Sequence, residues 1–276
     1  MQPVAVMTVA GSDSGGGAGI EADLRTFAAL GVHGTVALTA VTAQNSSEVR
    51  AVCALEPEMV RAQIETVTDD MEIRAVKCGM LARAATVLAV AALAREGRLA
   101  NLVVDPVLIT SGGHPLMEEG GVEAYRSALL PFALVATPNL REAAILAGID
   151  AREIRTVEEM AQVGEQIRSF GAQNVLVKGG HFLEGSATER RAPDVLVLSG
   201  GFQLLDAPRV ETANDHGTGC SLAAATAARL ALGDDVLAAV TAAKAFVLRA
   251  LRGAAPWHLG HGHGPIDHMG WNSDAN

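Results

Sequence analysis

The chain has 276 residues (28.4 kDa), 49% of them hydrophobic but only 3% aromatic, so one large α/β unit with a core of Ala, Val and Leu is expected. A formal net charge of -10 argues against nucleic acid or an anionic membrane as partner, and any anionic ligand must be met by local donors and lysines. Three cysteines (Cys53, Cys78, Cys220) in no CxxC spacing, no run of 18 apolar residues and a start without a basic leader lead to the expectation of a reduced, cytoplasmic protein.

Residues 4–9 read as a first strand and 18–30 as the helix after it, joined by a glycine-rich run from Gly11 to Gly19. Residues 36–42 and 49–55 have strand composition. Pro57 suits the first position of a helix that continues over 58–68. A strand at 73–77, a helix at 84–95 and a buried strand at 102–105 follow. Next come a strand at 134–136 and a helix at 140–146. The helix at 156–170 opens on a capping box, Thr156 with Glu159. A strand at 175–177 precedes a hairpin, 194–198 with 202–205, turned through Gly200-Gly201. Helices at 218–232 and 235–251 lead into an irregular Gly- and His-rich tail from about 257.

Strand–helix alternation predicts a mostly parallel sheet covered on both faces, within a single domain spanning 1–276. Ligands of such sheets sit beyond the carboxyl ends of the strands. That rule selects Gly11-Ser12-Asp13, Gln44-Asn45, Gly79-Met80, Asp105, Asn139, Lys178-Gly179 and His216-Gly217.

The run Asn214-Asp215-His216-Gly217-Thr218-Gly219-Cys220 opens a long helix. Its glycines let backbone N–H groups converge where the helix dipole is positive, which makes an anion hole for a phosphoryl group; a plain glycine turn is the alternative. Cys220 in the first turn is expected to have a lowered pKa. The loop Gly11–Gly19 is no Walker A sequence, since the closing Gly-Lys-Ser/Thr is missing. Asn139 and Glu142, at i and i+3, either organise Mg²⁺ through water or simply cap a helix. Asp105 is a second candidate for the metal shell. Lys178 and Lys244 are two of only three lysines and suit phosphate. The tail histidines 258, 261, 263 and 268 lack helical metal-ligand spacing, so a structural role is expected of them.

Eight stretches occur together and in order: AGSDSGGGAGIEAD (10–23), TAVTAQN (39–45), KCGML (77–81), VVDPV (103–107), TPNLREA (137–143), VKGGH (177–181), NDHGTGC (214–220) and GHGHGP (260–265). Together they resemble the hydroxymethylpyrimidine/phosphomethylpyrimidine kinases, a family of the ribokinase-like superfamily, over essentially the whole chain. The resemblance implies a three-layer α/β/α sandwich, a homodimer, and ATP- and Mg²⁺-dependent phosphorylation of 4-amino-5-hydroxymethyl-2-methylpyrimidine to its monophosphate and then its diphosphate. It implies an anion hole at Gly217, Thr218, Gly219 and Cys220, with Cys220 as base or neighbour of the reacting oxygen. Asn139 and Glu142 would organise Mg²⁺ through water, and Lys178, Lys244, Asn139 and Asp105 would face ATP. Gly11, Asp23, Thr42, Gln44 and Met80 would line the pyrimidine site. Cys78, Thr42 and Asp215 depart from the residues usual at their positions. Rival readings are a pyridoxal kinase on the same fold and a non-catalytic pyrimidine-binding protein. A dinucleotide-binding dehydrogenase is disfavoured, because no acidic residue ends a second strand about 20 residues after a clean GxGxxG.

Overall fold

The computed structural model describes residues 2–109, 116–180 and 190–272. Val- and Ala-rich runs form the strands β1 (Ala5–Ala10), β2 (His33–Leu38), β3 (Ala40–Gln44), β4 (Val49–Ala54), β5 (Ile73–Cys78), β6 (Val103–Val104), β7 (Val135–Ala136), β8 (Asn174–Lys178), β9 (Asp194–Leu198) and β10 (Gly201–Leu205). The helices are α1 (Gly19–Ala29), α2 (Pro57–Asp70), α3 (Ala84–Arg95), α4 (Gly121–Ala124), α5 (Leu140–Ala147), α6 (Val157–Arg168), α7 (Thr218–Ala231) and α8 (Val236–Ala254). Eight strands form one sheet in the order β10-β9-β8-β7-β6-β5-β1-β2, parallel from β2 to β8 and antiparallel at β9 and β10.

Strand periodicity explains the layers. Successive side chains point to opposite faces. Val6, Ala75, Val103, Val135 and Leu176 join a core beneath α1, α7 and α8. Their neighbours Met7, Val76, Val104, Ala136 and Val177 join a second core beneath α2, α3, α5 and α6. Both faces are thus apolar and covered, which is the three-layer sandwich expected. The buried side of α7 is almost all alanine, from Ala223 to Ala231. Small side chains there let α8 and the sheet approach closely, in keeping with the scarcity of aromatic residues.

The structure corrects two expectations. Residues 36–42 are not one strand. The chain leaves the sheet at Thr39, whose hydroxyl donates to the Met80 carbonyl at 2.6 Å, and β3 pairs only with β4 as a two-stranded flap. The apolar pattern runs on through the break and conceals it. Residues 121–132, to which periodicity assigns no element, are helical: α4 continues as a π turn over Tyr125–Leu129 and a 3-10 turn over Leu130–Phe132. His181, at the end of the VKGGH stretch, lies outside the described residues.

Candidate active site

The glycine run after β1 crosses the carboxyl end of the sheet and meets the start of α7. Gly217 caps that helix in the left-handed region (φ 85°), and a Cβ there would be driven into the Gly17 carbonyl. Two segments nearly 200 residues apart therefore touch backbone to backbone. The amides of residues 219 and 220 then open α7 with no side-chain cap, free to receive an anion, while Thr218 N–H donates to the Asp215 carbonyl at 3.3 Å.

Lys178 ends β8 on the same rim. Its ammonium donates to Asp105 Oδ1 at 2.7 Å, and Thr137 Oγ1 supports that oxygen at 3.1 Å. A Cβ built on Gly219 would lie 3.2 Å from Lys178 Nζ and 4.0 Å from Asp105 Oδ2. The expected anion hole, Lys178 and Asp105 are thus one cluster. Asn139 and Glu142 stand at the head of α5 beside it, and they form a full capping box. Asn139 N–H donates to Glu142 Oε2 at 2.8 Å, and Glu142 N–H donates to Asn139 Oδ1 at 2.9 Å. Lys244, on α8, donates to Asp194 Oδ2 at 2.5 Å and to the Ala192 carbonyl at 2.8 Å. Asp194 in turn accepts from Gly179 N–H at 2.9 Å, so Lys244 reaches the rim through Asp194.

The expected substrate residues gather on the other side of the glycine run. Met80 lies so close to Gly11 that a Cβ on Gly11 would meet its methyl. Thr42 Oγ1 donates to the Ser12 carbonyl at 2.8 Å, and Gln44 Nε2 is 3.2 Å from His216 Nε2. Asp23 is placed differently. It is fully buried, and its carboxylate accepts from Lys77 (2.8 and 3.0 Å) and from Thr8 Oγ1 (2.6 Å). Its oxygens are occupied inside the fold rather than facing the cleft.

Electrostatics overturn one expectation. Burial pushes the Cys220 thiol up to about 11, with Asp23 and Asp105 adding to the rise; Lys77 and the Gly19 N–H oppose it and lose. Desolvation of the charged form outweighs the first-turn position that was expected to favour a thiolate. Burial lifts the Glu142 carboxyl to about 7, with Lys178 pulling it down and Asp105 pushing it up. Lys77 and Lys178 resist burial because carboxylates hold them protonated: Asp23 for Lys77, Asp105 and Glu142 for Lys178.

The strand-end rule selects Asp13 and His216 by position but gives them no role, and it passes over Lys77. His216 Nε2 meets Asp13 Oδ2 at 2.8 Å. The visible signal was an acidic residue amid glycines, and a lysine inside a strand that is apolar but for Arg74. The tail also has a place. Ser46, at the flap tip, receives N–H groups of His261, Gly262 and His263, and His263 Nδ1 meets Asp215 Oδ1 at 2.7 Å. His268 bonds Ser221 Oγ at 2.8 Å. Among the described residues, no cluster of three or more His, Cys, Asp or Glu is arranged to hold a metal.

Comparison with known proteins is specific. The family model for phosphomethylpyrimidine kinase matches residues 13–267. A hydroxymethylpyrimidine/phosphomethylpyrimidine kinase of Rhizobium meliloti (strain 1021) is 48% identical over 265 residues, 95% of this chain and 96% of its own. The thiamine biosynthesis bifunctional protein ThiED of Geobacter sulfurreducens is 42% identical over 264 residues, 96% of this chain and 52% of its own. Among solved structures, the pyridoxal kinase from Staphylococcus aureus in complex with AMP-PCP and pyridoxal aligns with a TM-score of 0.87 at 33% identity, across 99% of this chain and 96% of its own.

Proposed function

This chain belongs to the phosphomethylpyrimidine kinase family and is a phosphotransferase; on that footing we propose that it transfers the γ-phosphoryl group of ATP to the hydroxymethyl oxygen of 4-amino-5-hydroxymethyl-2-methylpyrimidine, and then phosphorylates the monophosphate, in thiamine biosynthesis. One observation carries the reading: the bare amides of α7, Lys178 and Asp105 share one rim, and the proposed pyrimidine residues Gly11, Thr42, Gln44 and Met80 flank the same glycine run. Residues 1–276 are proposed to act as one kinase domain, in a cytoplasmic homodimer.

Gln44 suits an aminopyrimidine edge because its amide both donates and accepts. The substrate oxygen attacks the γ-phosphorus in line, the bond to the β,γ-bridging oxygen breaks, and ADP leaves with the electron pair. The amides of Gly217, Thr218, Gly219 and Cys220 and the Lys178 ammonium stabilise charge on the phosphoryl oxygens. The attacking oxygen keeps its proton until late in a loose transition state and then gives it to an oxygen of the transferred phosphoryl group, so placement counts for more than base strength. Cys220, a thiol at neutral pH, is accordingly assigned contact with the reacting oxygen. Asp105 and Glu142 flank a single lysine and leave excess negative charge, which fits a hard cation held through water together with the Asn139 amide. Mg²⁺ bound there would neutralise charge on the phosphate oxygens. Lys244 steadies residue 179 beside ATP through Asp194.

A second reading, phosphorylation of pyridoxal, is favoured by the likeness to the Staphylococcus aureus enzyme. Incubation with MgATP and each alcohol, followed by mass spectrometry of the products, separates the two. The pyrimidine monophosphate and diphosphate are expected. A preference for pyridoxal by orders of magnitude overturns the choice of substrate, and binding without ATP turnover overturns the kinase reading itself.

A further inference from the structure

Asp13 is 3% exposed, yet its carboxylate is fully engaged. Oδ1 accepts from Gly15 N–H at 2.8 Å, and Oδ2 accepts from Gly17 N–H (3.0 Å), Ala18 N–H (2.9 Å) and His216 Nε2 (2.8 Å). A carboxylate acceptor requires the proton on Nε2, which fixes the tautomer. The imidazole lies against Gly17, where a Cβ would collide with ring carbon Cδ2. The backbone of His216 is held as well: its N–H donates to the Gly264 carbonyl at 3.0 Å. The next residue is Gly217, cap of the helix whose first amides form the anion hole. The Gln44 amide nitrogen, on the flap, packs 3.2 Å from that same Nε2, whose proton is given to Asp13. One imidazole therefore touches the loop, the anion hole and the proposed pyrimidine reader.

We propose that Asp13 and His216 are a positioning pair for phosphoryl transfer: the carboxylate shapes the glycine run and grips the imidazole, and the imidazole sets the first turn of α7 and the side chain of Gln44 relative to each other. The inference rests on the kinase reading above. It concerns how the acceptor hydroxyl and the phosphoryl group are brought into line, since the two ligands are held by elements that this ring joins. The pair is buried enough to be rigid and is assembled from segments 203 residues apart. The Asp13 carboxylate is kept charged: burial opposes ionisation, but the hydrogen bonds from His216, Ala18 and Gly15 outweigh it and hold its pKa below the ordinary value.

The test compares wild type with His216→Ala, His216→Gln and Asp13→Asn in steady-state assays with the pyrimidine and MgATP. Misplacement of the order of 1 Å costs about 10²-fold in rate, so His216→Ala is expected to lose about that much kcat, with KM for the pyrimidine raised and KM for ATP little changed. His216→Gln keeps an N–H donor where Nε2 stands and is expected to recover most of the loss. Asp13→Asn cannot accept that proton in the same way and is expected to follow His216→Ala. Wild-type kcat and KM in His216→Ala overturn the proposal, as does a His216→Gln no better than His216→Ala. If His216→Ala does not fold, the same decision falls to His216→Gln and Asp13→Asn. A wild type inactive on both alcohols removes the kinase reading instead. Hydrogen exchange at residues 217–220 and 43–46 then decides the pair: it must quicken at both stretches together in the variants, and unchanged exchange overturns the coupling.

Discussion

Gly219→Ala separates chemistry from folding at the proposed anion hole. Gly219 is the second residue of α7, where alanine is the better helix former by up to about 1 kcal/mol. Its backbone is not in the left-handed region, so a methyl group introduces no conformational strain. The added Cβ meets only Lys178 Nζ at 3.2 Å and Asp105 Oδ2 at 4.0 Å. It fills the space between a helix amide and the ammonium, which is the place proposed for a phosphoryl oxygen. Losing one such donor costs about 10²–10³-fold in kcat, or roughly 3–4 kcal/mol of transition-state stabilisation. Gly217→Ala is the control: its positive φ and the Gly17 carbonyl predict a loss of both stability and activity. The assay is ADP release coupled to NADH oxidation, with Tm read by scanning fluorimetry on the same samples. For Gly219→Ala, Tm is expected to hold or rise by about 2–4 °C. Turnover within threefold of wild type at unchanged Tm refutes the placement of the phosphoryl group at this helix mouth.

Lys77→Met leaves Asp23 buried without its counter-charge, and in urea unfolding it is expected to lose about 3–5 kcal/mol. Adding Asp23→Asn should restore part of that loss, and additive losses would break the pairing argument. Cys220 should react slowly with iodoacetamide at pH 8, with a rate that climbs towards pH 11 as read by peptide mass spectrometry; a midpoint near 7 contradicts the burial argument. His268 is the acid-sensitive group. Burial first, then Arg25 and Arg249, push its pKa down to about 4, while Ile266 and Asp267 oppose the shift. The unfolded chain binds this proton more readily, so stability is intact above about pH 6.5 and falls as pH drops towards 4, by on the order of 3 kcal/mol. In a Tm–pH series His268→Gln should flatten that limb, and an unchanged slope would assign the acid limb elsewhere.

How much of this was legible in the sequence depended on locality. Alternating strands and helices, the capping box at Thr156 and the glycine-opened helix at 217 are short-range patterns, and each appears as read. The division at Thr39 was hidden because a strand that leaves the sheet keeps the same period of two. The stretch 121–132 scatters Glu123, Arg126 and Ser127 among apolar residues, carries Pro131 and has no side-chain cap, so periodicity had nothing to mark. At the site, the residue types were legible and the partnerships were not. Asp13 and His216 find each other only through the fold, and Lys77 was invisible as a site residue because its strand pattern puts it inside. The Cys220 expectation failed for a related reason: a helix-end rule is local, whereas burial is set by the whole molecule.

The three lysines make the same point about charge. Each is bonded to an aspartate: Lys77 to Asp23, Lys178 to Asp105, Lys244 to Asp194. In a chain of net charge -10, unpaired lysines on the rim would be a trap for any phosphate, product included. Paired ones are fixed in place and nearly neutralised, so they attract a resting anion weakly. Their value grows when negative charge spreads over the transferring oxygens, and an enzyme gains rate only from contacts that strengthen in that state. On the proposed kinase reading, the three lysine charges are immobile and partly spent, and the α7 amides, which carry no counter-charge, are left to respond to the transfer itself.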